Sequence, residues 1–232
     1  MFVNVVIPVY NEVPLARLNS YRLSGGSELH GHAFSYIIVD DGSKEPHAGA
    51  DFRFEKNQGY GAALKKGIEL SCTKYVITMD GDGQHEIEDV VRLVDFVERF
   101  PECVMVVGDR RVREQRLVRW VGRKCLNWIA SLFALRWIPD LNSGLRIFRR
   151  DVVMGYLPIL CDKFSFTTSL TLALLSDGHK VDWLPIRVLE RRRGRSHVKV
   201  WSDGWRTLWY ILWIGGALRT RGVRRVWRSL HR

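Results

Sequence analysis

Short β-branched runs that end in polar clusters alternate, through the first half of the chain, with stretches of helical spacing. "FVNVVIPVY", "SYIIVDD", "KYVITMD" and "CVMVVGD" read as strands, while "GYGAALKKGIELS" and "IEDVVRLVDFVERF" repeat their apolar positions at the helical period. Strands that are apolar at nearly every position are buried on both faces. The order therefore predicts an α/β fold built on a Rossmann-like, mostly parallel sheet with helices on both faces. In such sheets ligands bind beyond the carboxyl ends of the strands. "NE" after the first strand, "DDGS" after the second and "DGDGQ" after the next are accordingly expected on one rim. The chain has no internal repeat, no low-complexity linker and no sharp domain boundary.

Composition divides what the pattern leaves uniform. The net charge is +11 over 232 residues, but Met1–Met105 carries 16 acidic and 10 basic residues against 9 and 26 in Val106–Arg232. All nine tryptophans lie in that second stretch. An acidic first part is expected to carry carboxylate chemistry, and a cationic, tryptophan-rich second part to meet something anionic and partly apolar. Cys72, Cys103, Cys125 and Cys161 are widely spaced and form no paired metal-ligand pattern, which fits a reducing compartment. The start "MFVNVVIPVY" lacks a basic leader and a small-residue cleavage site, so a cytoplasmic location is expected. No apolar run reaches the roughly 18 residues a spanning helix needs. The most apolar late stretch, Thr207 to Leu218, is bracketed by Arg206 and Arg219.

The densest chemistry is "MDGDGQHE". Asp80, Asp82 and Gln84 alternate, so an extended backbone would put them on one side, and Gly81 and Gly83 would let a ligand approach the main chain. Hard oxygen ligands of this kind suit Mg²⁺ or Mn²⁺ completed by water and phosphate. An acidic turn without metal fits the bare motif too. An EF-hand loop does not, because its sixth and twelfth positions counted from Asp80 are His85 and Val91 rather than glycine and glutamate. A phosphatase that opens on Asp-x-Asp-Gly after a strand would use Asp80 as a nucleophile, but Gln84 departs from its usual next residue.

"VIPVYNE", "VDDGS", "NQGYGAALKKG", "MDGDGQHE", "VGDRR", "DLNSGLRIFRRD", "FSFTTSLTLALL" and "RRRGRSH" occur in the order found in family-2 glycosyltransferases, from about Val3 to His197. The chain resembles the dolichyl-phosphate-mannose-synthase-like branch of that family. The resemblance implies the A-type glycosyltransferase fold, a nucleotide-sugar donor, Mg²⁺ or Mn²⁺, inverting transfer and a polyprenyl phosphate acceptor. Residues 1–200 would form the catalytic domain and 201–232 an interfacial helix with a basic tail.

Carried over by motif, Pro8, Tyr10 and Glu12 are expected to contact the donor nucleotide, with Val39, Asp40 and Asp41 at its base or ribose. Carboxylates suit that role because they accept from base N–H groups and ribose hydroxyls, although "DDGS" is also ordinary turn chemistry. Asp80, Asp82 and Gln84 would hold the metal on the donor diphosphate, with Gly81 beside it and Arg110 assisting on the same phosphates. "NQGYGAA" lacks the dinucleotide fingerprint and reads either as a tight turn beside the nucleotide or as a structural turn. Asp140 is either a carboxylate that orients an acceptor group, a catalytic base for a hydroxyl acceptor, or a loop cap before the strand "LRIFRR".

The branch pattern Arg-x-x-Gly-x-Ser-Lys falls on Arg191, Gly194, Ser196 and His197, so Arg191 would grip the acceptor phosphate and His197 stands where lysine is usual. Trp201, Trp205, Trp209 and Trp213 recur every fourth residue and are followed by arginines. On a helix that is an aromatic stripe suited to an anionic membrane surface, lying on it without crossing, with Trp120, Trp128 and Trp137 extending it. An ordinary amphipathic helix with tryptophan in the core has the same spacing. The expected partners are thus a nucleotide-sugar donor, a polyprenyl phosphate and the inner membrane face, with room for a partner membrane subunit. A hydroxyl acceptor is the first alternative. A metal-dependent phosphatase explains only the aspartates, and a nucleic-acid binder only the basic half, so nucleic acid is not an expected partner.

Overall fold

The computed structural model describes residues 1–11, 28–110, 125–132, 136–188 and 208–213. Its strands are β1 (Phe2–Val9), β2 (Glu28–Leu29), β3 (His32–Asp40), β4 (Phe52–Arg53), β5 (Tyr75–Thr78), β6 (Met105–Arg110), β7 (Arg146–Arg149) and β8 (Val181–Ile186). The helices are α1 (Tyr60–Leu70), α2 (Ile87–Arg99), α3 (residues 125–132), α4 (Arg150–Met154), α5 (Phe166–Ser176) and α6 (residues 208–213). The strands make one sheet in the order β2-β3-β1-β5-β7-β6-β8, with β4 also on β3. β1 pairs in parallel with β3 and β5, and β6 in parallel with β8; β7 runs antiparallel to both its neighbours. The sheet is mostly parallel, as expected, with β7 reversed within it.

Period-two alternation sorts the side chains to two cores. Val5, Ile7, Tyr75, Ile77, Val106 and Ile147 face α2, which contributes Val90, Val91, Leu93, Val94 and Val97. Val6, Val76, Met105, Val107 and Phe148 face the opposite side, where Leu64 and Ile68 of α1 and Phe166, Leu170 and Leu174 of α5 cover them. Each fully buried aliphatic chain contributes about 1.5–3 kcal/mol against the entropy of ordering it. That is why β1 shows an almost unbroken apolar run: seven of its eight residues are buried. Two polar contacts pin α2 to the sheet beyond this burial. His32 at the start of β3 meets Asp95 through Nε2 and Oδ1 at 2.8 Å, and the Arg187 N–H donates to Asp89 at 2.8 Å.

Ile211 of α6 is fully buried in the same core as Ala130 of α3, so this part of the tail packs on the body of the sheet and its helices. Trp209 stacks on Trp213, with centroids 5.7 Å apart, and Trp209, Leu212, Trp128, Leu132 and Trp137 are exposed. Trp120, Trp201 and Trp205 lie outside the described residues. No helix among the described residues is long and apolar enough to cross a membrane. All four cysteines are free thiols.

Candidate active site

The reversed strand decides what the rim contains. β1, β3, β5 and β6 end there, whereas β7 begins there, so the residues that precede β7 join those that follow the other strands. Thr78 at the end of β5 faces Arg146 at the start of β7, and its hydroxyl donates to the Gly144 carbonyl at 2.8 Å.

At the β1 and β3 ends the expected donor residues are engaged by their own loops. Pro8 is paired with Val39 in the register, and both are buried. Tyr10, half-buried, follows directly. Asn11, in the left-handed region at φ 50°, donates its N–H to Ser43 Oγ and accepts from the Lys44 N–H, both at 2.9 Å, which joins the two strand ends. Asp40 is fully buried and accepts from the Ser43 N–H at 2.9 Å, the His47 N–H at 3.1 Å and Arg53 Nε at 3.2 Å. Burial pushes its pKa up, but the Ser43 and His47 hydrogen bonds and the Arg53 charge hold it below the ordinary value. Asp41 accepts from Asn57 Nδ2 at 2.9 Å, the Gln58 N–H at 2.7 Å and the Gly59 N–H at 2.9 Å. Here burial wins over these donors and the pKa is raised. Glu12 lies outside the described residues.

Asp41 thus ties down the "NQGYG" loop, and two glycines fix its other side. Gly59 has φ 117°, and a Cβ there would stand 2.4 Å from the Asp162 carbonyl oxygen; one at Gly61 would stand 2.1 Å from that of Cys161. Of the two readings open for this motif, the structural one has direct support: the glycines admit the backbone of residues 161–163.

Asp80, Gly81, Asp82 and Gln84 follow β5, but as a turn rather than an extended run. Gly83 takes φ 72°, and the Gln84 N–H donates back to Asp82 Oδ1 at 3.1 Å. Asp80 Oδ1 accepts from the Tyr60 hydroxyl at 2.8 Å, and Oδ2 lies 3.8 Å from His85 Nε2. Burial would raise the Asp80 pKa, yet His85, Tyr60 and Arg110 together hold it lowered. Its side chain stays 30% exposed, open to the rim. His85 is buried, with no hydrogen-bond partner for Nδ1 among the described residues.

Arg110 ends β6 and reaches across to Asp140, which is 3% exposed: Nε to Oδ2 is 2.8 Å and Nη2 to Oδ1 is 3.1 Å. Burial opposes the Arg110 charge, but Asp140 raises its pKa well beyond the ordinary value. Asp140 also accepts from the Asn142 N–H at 3.1 Å, and Asn142 Oδ1 accepts from Thr168 Oγ1 at 2.7 Å. Of the readings open for Asp140, the structure supports a carboxylate committed to its own loop and to Arg110. Arg191, Ser196 and His197 lie outside the described residues.

Two residues at this rim escape sequence reasoning. Tyr60 had the signal of a polar aromatic between two glycines. Arg146, fully buried, donates to the carbonyls of Ser143 and Leu141 at 2.6 Å, to that of Thr167 at 2.9 Å and to Thr171 Oγ1 at 2.6 Å. Burial pulls its pKa down to about 10. Its signal was a lone arginine inside the apolar strand "LRIF".

The family model for glycosyl transferase family 2 matches residues 4–157. The chain is 26% identical over 247 residues to the undecaprenyl-phosphate mannosyltransferase of Micrococcus luteus, covering 97% of this chain and 98% of that one. It is 30% identical over 190 residues to the undecaprenyl-phosphate 4-deoxy-4-formamido-L-arabinose transferase of Pseudomonas syringae, covering 72% of this chain and 56% of that one. Among solved structures, the glucosyl-3-phosphoglycerate synthase of Mycobacterium tuberculosis, crystallised with Mn²⁺, uridine diphosphate and phosphoglyceric acid, superposes with a TM-score of 0.72. That match, at 17% identity, covers 92% of this chain and 78% of the other, and gives the sheet its fold type, the A-type glycosyltransferase fold. With the family model matching residues 4–157, more than half of the chain, this chain belongs to glycosyl transferase family 2 and is a glycosyltransferase.

Proposed function

We propose that the chain transfers a sugar, with inversion, from a nucleotide-sugar donor to a polyprenyl phosphate at a membrane surface, with Mg²⁺ or Mn²⁺. The observation that carries the acceptor half is the engagement of Asp140. A hydroxyl acceptor needs a general base beside the sugar. Both Asp140 oxygens already accept from Arg110, and protonating that carboxylate would break a buried ion pair. A phosphate acceptor is an oxyanion at neutral pH and needs no base. Its oxygen attacks the anomeric carbon as the bond to the nucleoside diphosphate breaks, and the bonding electron pair leaves with the diphosphate. The names of the Micrococcus and Pseudomonas relatives support the same acceptor class for this chain.

The donor set fits a hard divalent cation. Asp80, Asp82 and Gln84 offer oxygen only, on a turn open to the rim, and Asp80 is held ionised by its neighbours. When bound there, Mg²⁺ or Mn²⁺ would offset the charge growing on the leaving diphosphate, a role worth several kcal/mol. Pro8, Tyr10, Glu12, Val39, Asp40, Asp41 and Gly81 belong to the donor side of this reading. Asp40 and Asp41 serve it mainly by fixing the loops around the nucleotide. Arg110 keeps positive charge at the sugar-phosphate junction, and Arg191, Ser196 and His197 meet the acceptor phosphate. The exposed Trp128, Leu132, Trp137, Trp209 and Leu212 supply apolar surface at headgroup depth, and the arginines after Trp213 complement anionic lipid. A peripheral position on the cytoplasmic face follows from this reading.

The deciding experiment incubates the protein with a panel of labelled nucleotide sugars, Mg²⁺ or Mn²⁺ and polyprenyl phosphate. Label is expected in the organic phase; label confined to a soluble sugar or to protein overturns the acceptor assignment.

A further inference from the structure

Asp80 sits in a socket built by three parts of the chain that are distant in sequence. On one side Tyr60 Oη donates to Oδ1 at 2.8 Å; on another, His85 Nε2 stands 3.8 Å from Oδ2. The third wall is Gly144, where a Cβ would lie 2.3 Å from Oδ2 and 2.4 Å from Oδ1. The carboxylate therefore packs on a bare α-carbon, and its shortest side-chain contact with a donor among the described residues is to a phenol. We propose that Tyr60 is a positioning residue for the cation site, fixing the Asp80 carboxylate in the orientation that receives the metal. This inference rests on the metal reading above and adds a residue that neither the motif nor its spacing assigns.

The position of the phenol is overdetermined. Tyr60 opens α1, and its two glycine neighbours lie against the backbone of residues 161–163, so the helix start has little freedom to shift. The Ala62 N–H donates to the Asp162 carbonyl at 2.9 Å, and the Tyr60 ring contacts Phe164 with centroids 6.1 Å apart. An ordinary phenol keeps its proton throughout the neutral range, so the hydroxyl is a donor there. The chemical type matters as well. A lysine or arginine at this point would orient the carboxylate but also repel a divalent cation, whereas a phenol orients it without adding positive charge. A donor that holds a metal-ligating carboxylate from behind fixes its orientation, and losing one typically weakens metal affinity or activity about 10–100-fold.

The test measures Mn²⁺ binding to the full-length protein by electron paramagnetic resonance, with and without uridine diphosphate, for wild type, Tyr60→Phe, Asp80→Asn and the double variant. Tyr60→Phe removes one oxygen atom and is expected to weaken Mn²⁺ binding about tenfold, while the melting temperature without metal stays near that of wild type. In the Asp80→Asn background the same change is expected to have no further effect. Unchanged Mn²⁺ affinity in Tyr60→Phe overturns the inference. An equal loss in both backgrounds also overturns it, since Tyr60 would then act by a route other than Asp80. A wild-type protein that binds no Mn²⁺ in either condition sinks the metal reading itself, a result distinguishable from both.

Discussion

Arg110 and Asp140 form a two-pronged ion pair that closes the rim between β6 and β7, with one carboxylate oxygen on each prong at 2.8 and 3.1 Å. The pair joins the end of β6 to the loop that enters β7. Arg110 is 23% exposed and Asp140 only 3%, so removing the arginine leaves a buried carboxylate without its main counter-charge.

Arg110→Met is therefore expected to destabilise the fold by about 3–5 kcal/mol, and the double replacement Arg110→Met with Asp140→Leu by clearly less. Urea unfolding of the three proteins measures this. If the single and double variants unfold at the same midpoint, the pair does not carry the loop.

Asp82→Ala is expected to lower sugar transfer by at least about two orders of magnitude, the scale of losing several kcal/mol of charge stabilisation on the diphosphate. Chelation of divalent ions should have the same effect on wild type and be reversed by added Mn²⁺. Initial rates with and without chelator are the readout, and full activity in chelator would contradict a metal role for this turn.

The lowered pKa of Asp40 makes a pH prediction. Its folded value lies below the ordinary 3.8, so its stabilisation is present above that value and is lost as pH falls through the folded pKa. Asp40→Asn should cost about 1.5–3 kcal/mol at neutral pH. The gap between wild type and variant should then narrow as the carboxylate range is entered from above. Chemical denaturation at a series of pH values gives that gap directly.

Gly61→Ala tests the structural reading of the glycine pair. The new Cβ would meet the Cys161 carbonyl oxygen at 2.1 Å, a backbone atom that cannot step aside. A loss of about 1–3 kcal/mol is expected from the forced shift, together with weaker Mn²⁺ binding because Tyr60 moves with the helix start. Calorimetric melting and metal titration are the two measurements.

Replacing Trp128, Trp137 and Trp209 together by serine should reduce flotation with anionic vesicles, yet leave transfer to a short-chain, water-soluble acceptor phosphate near wild type. All three rings are exposed, so the folded state should lose little. Equal flotation of the two proteins would move the lipid contact elsewhere on the chain.

The sheet was legible because its strands are apolar at nearly every position and end on polar clusters, a pattern that little else produces. β8 (Val181–Ile186) was missed for the opposite reason: at this edge Asp182, Trp183 and Pro185 interrupt the run, and four of its six residues are only half-buried. Helix α5 was quoted as a motif and not as a helix, because it is buried nearly all round and its hydroxyl residues break the amphipathic period. The polar turn after β5 lies on the rim as expected, but its shape differs: alternation suggests an extended segment, whereas Gly83 in the left-handed region folds it. Tyr60, Gly144 and Arg146 act through contacts between segments far apart in sequence, and no local pattern encodes those. Arg191, Ser196 and His197 remain assigned by motif.

The reversal of β7 divides the rim by origin. Asp40, Asp41 and Asp80 sit at or just past the ends of β3 and β5, whereas the segment around Asp140 is a lead-in, delivered by the chain between β6 and β7. Lengthening or exchanging that intervening stretch would remodel the β6–β7 side of the rim while the β3 and β5 side keeps its geometry. The architecture thus behaves as a fixed cartridge with an interchangeable adaptor.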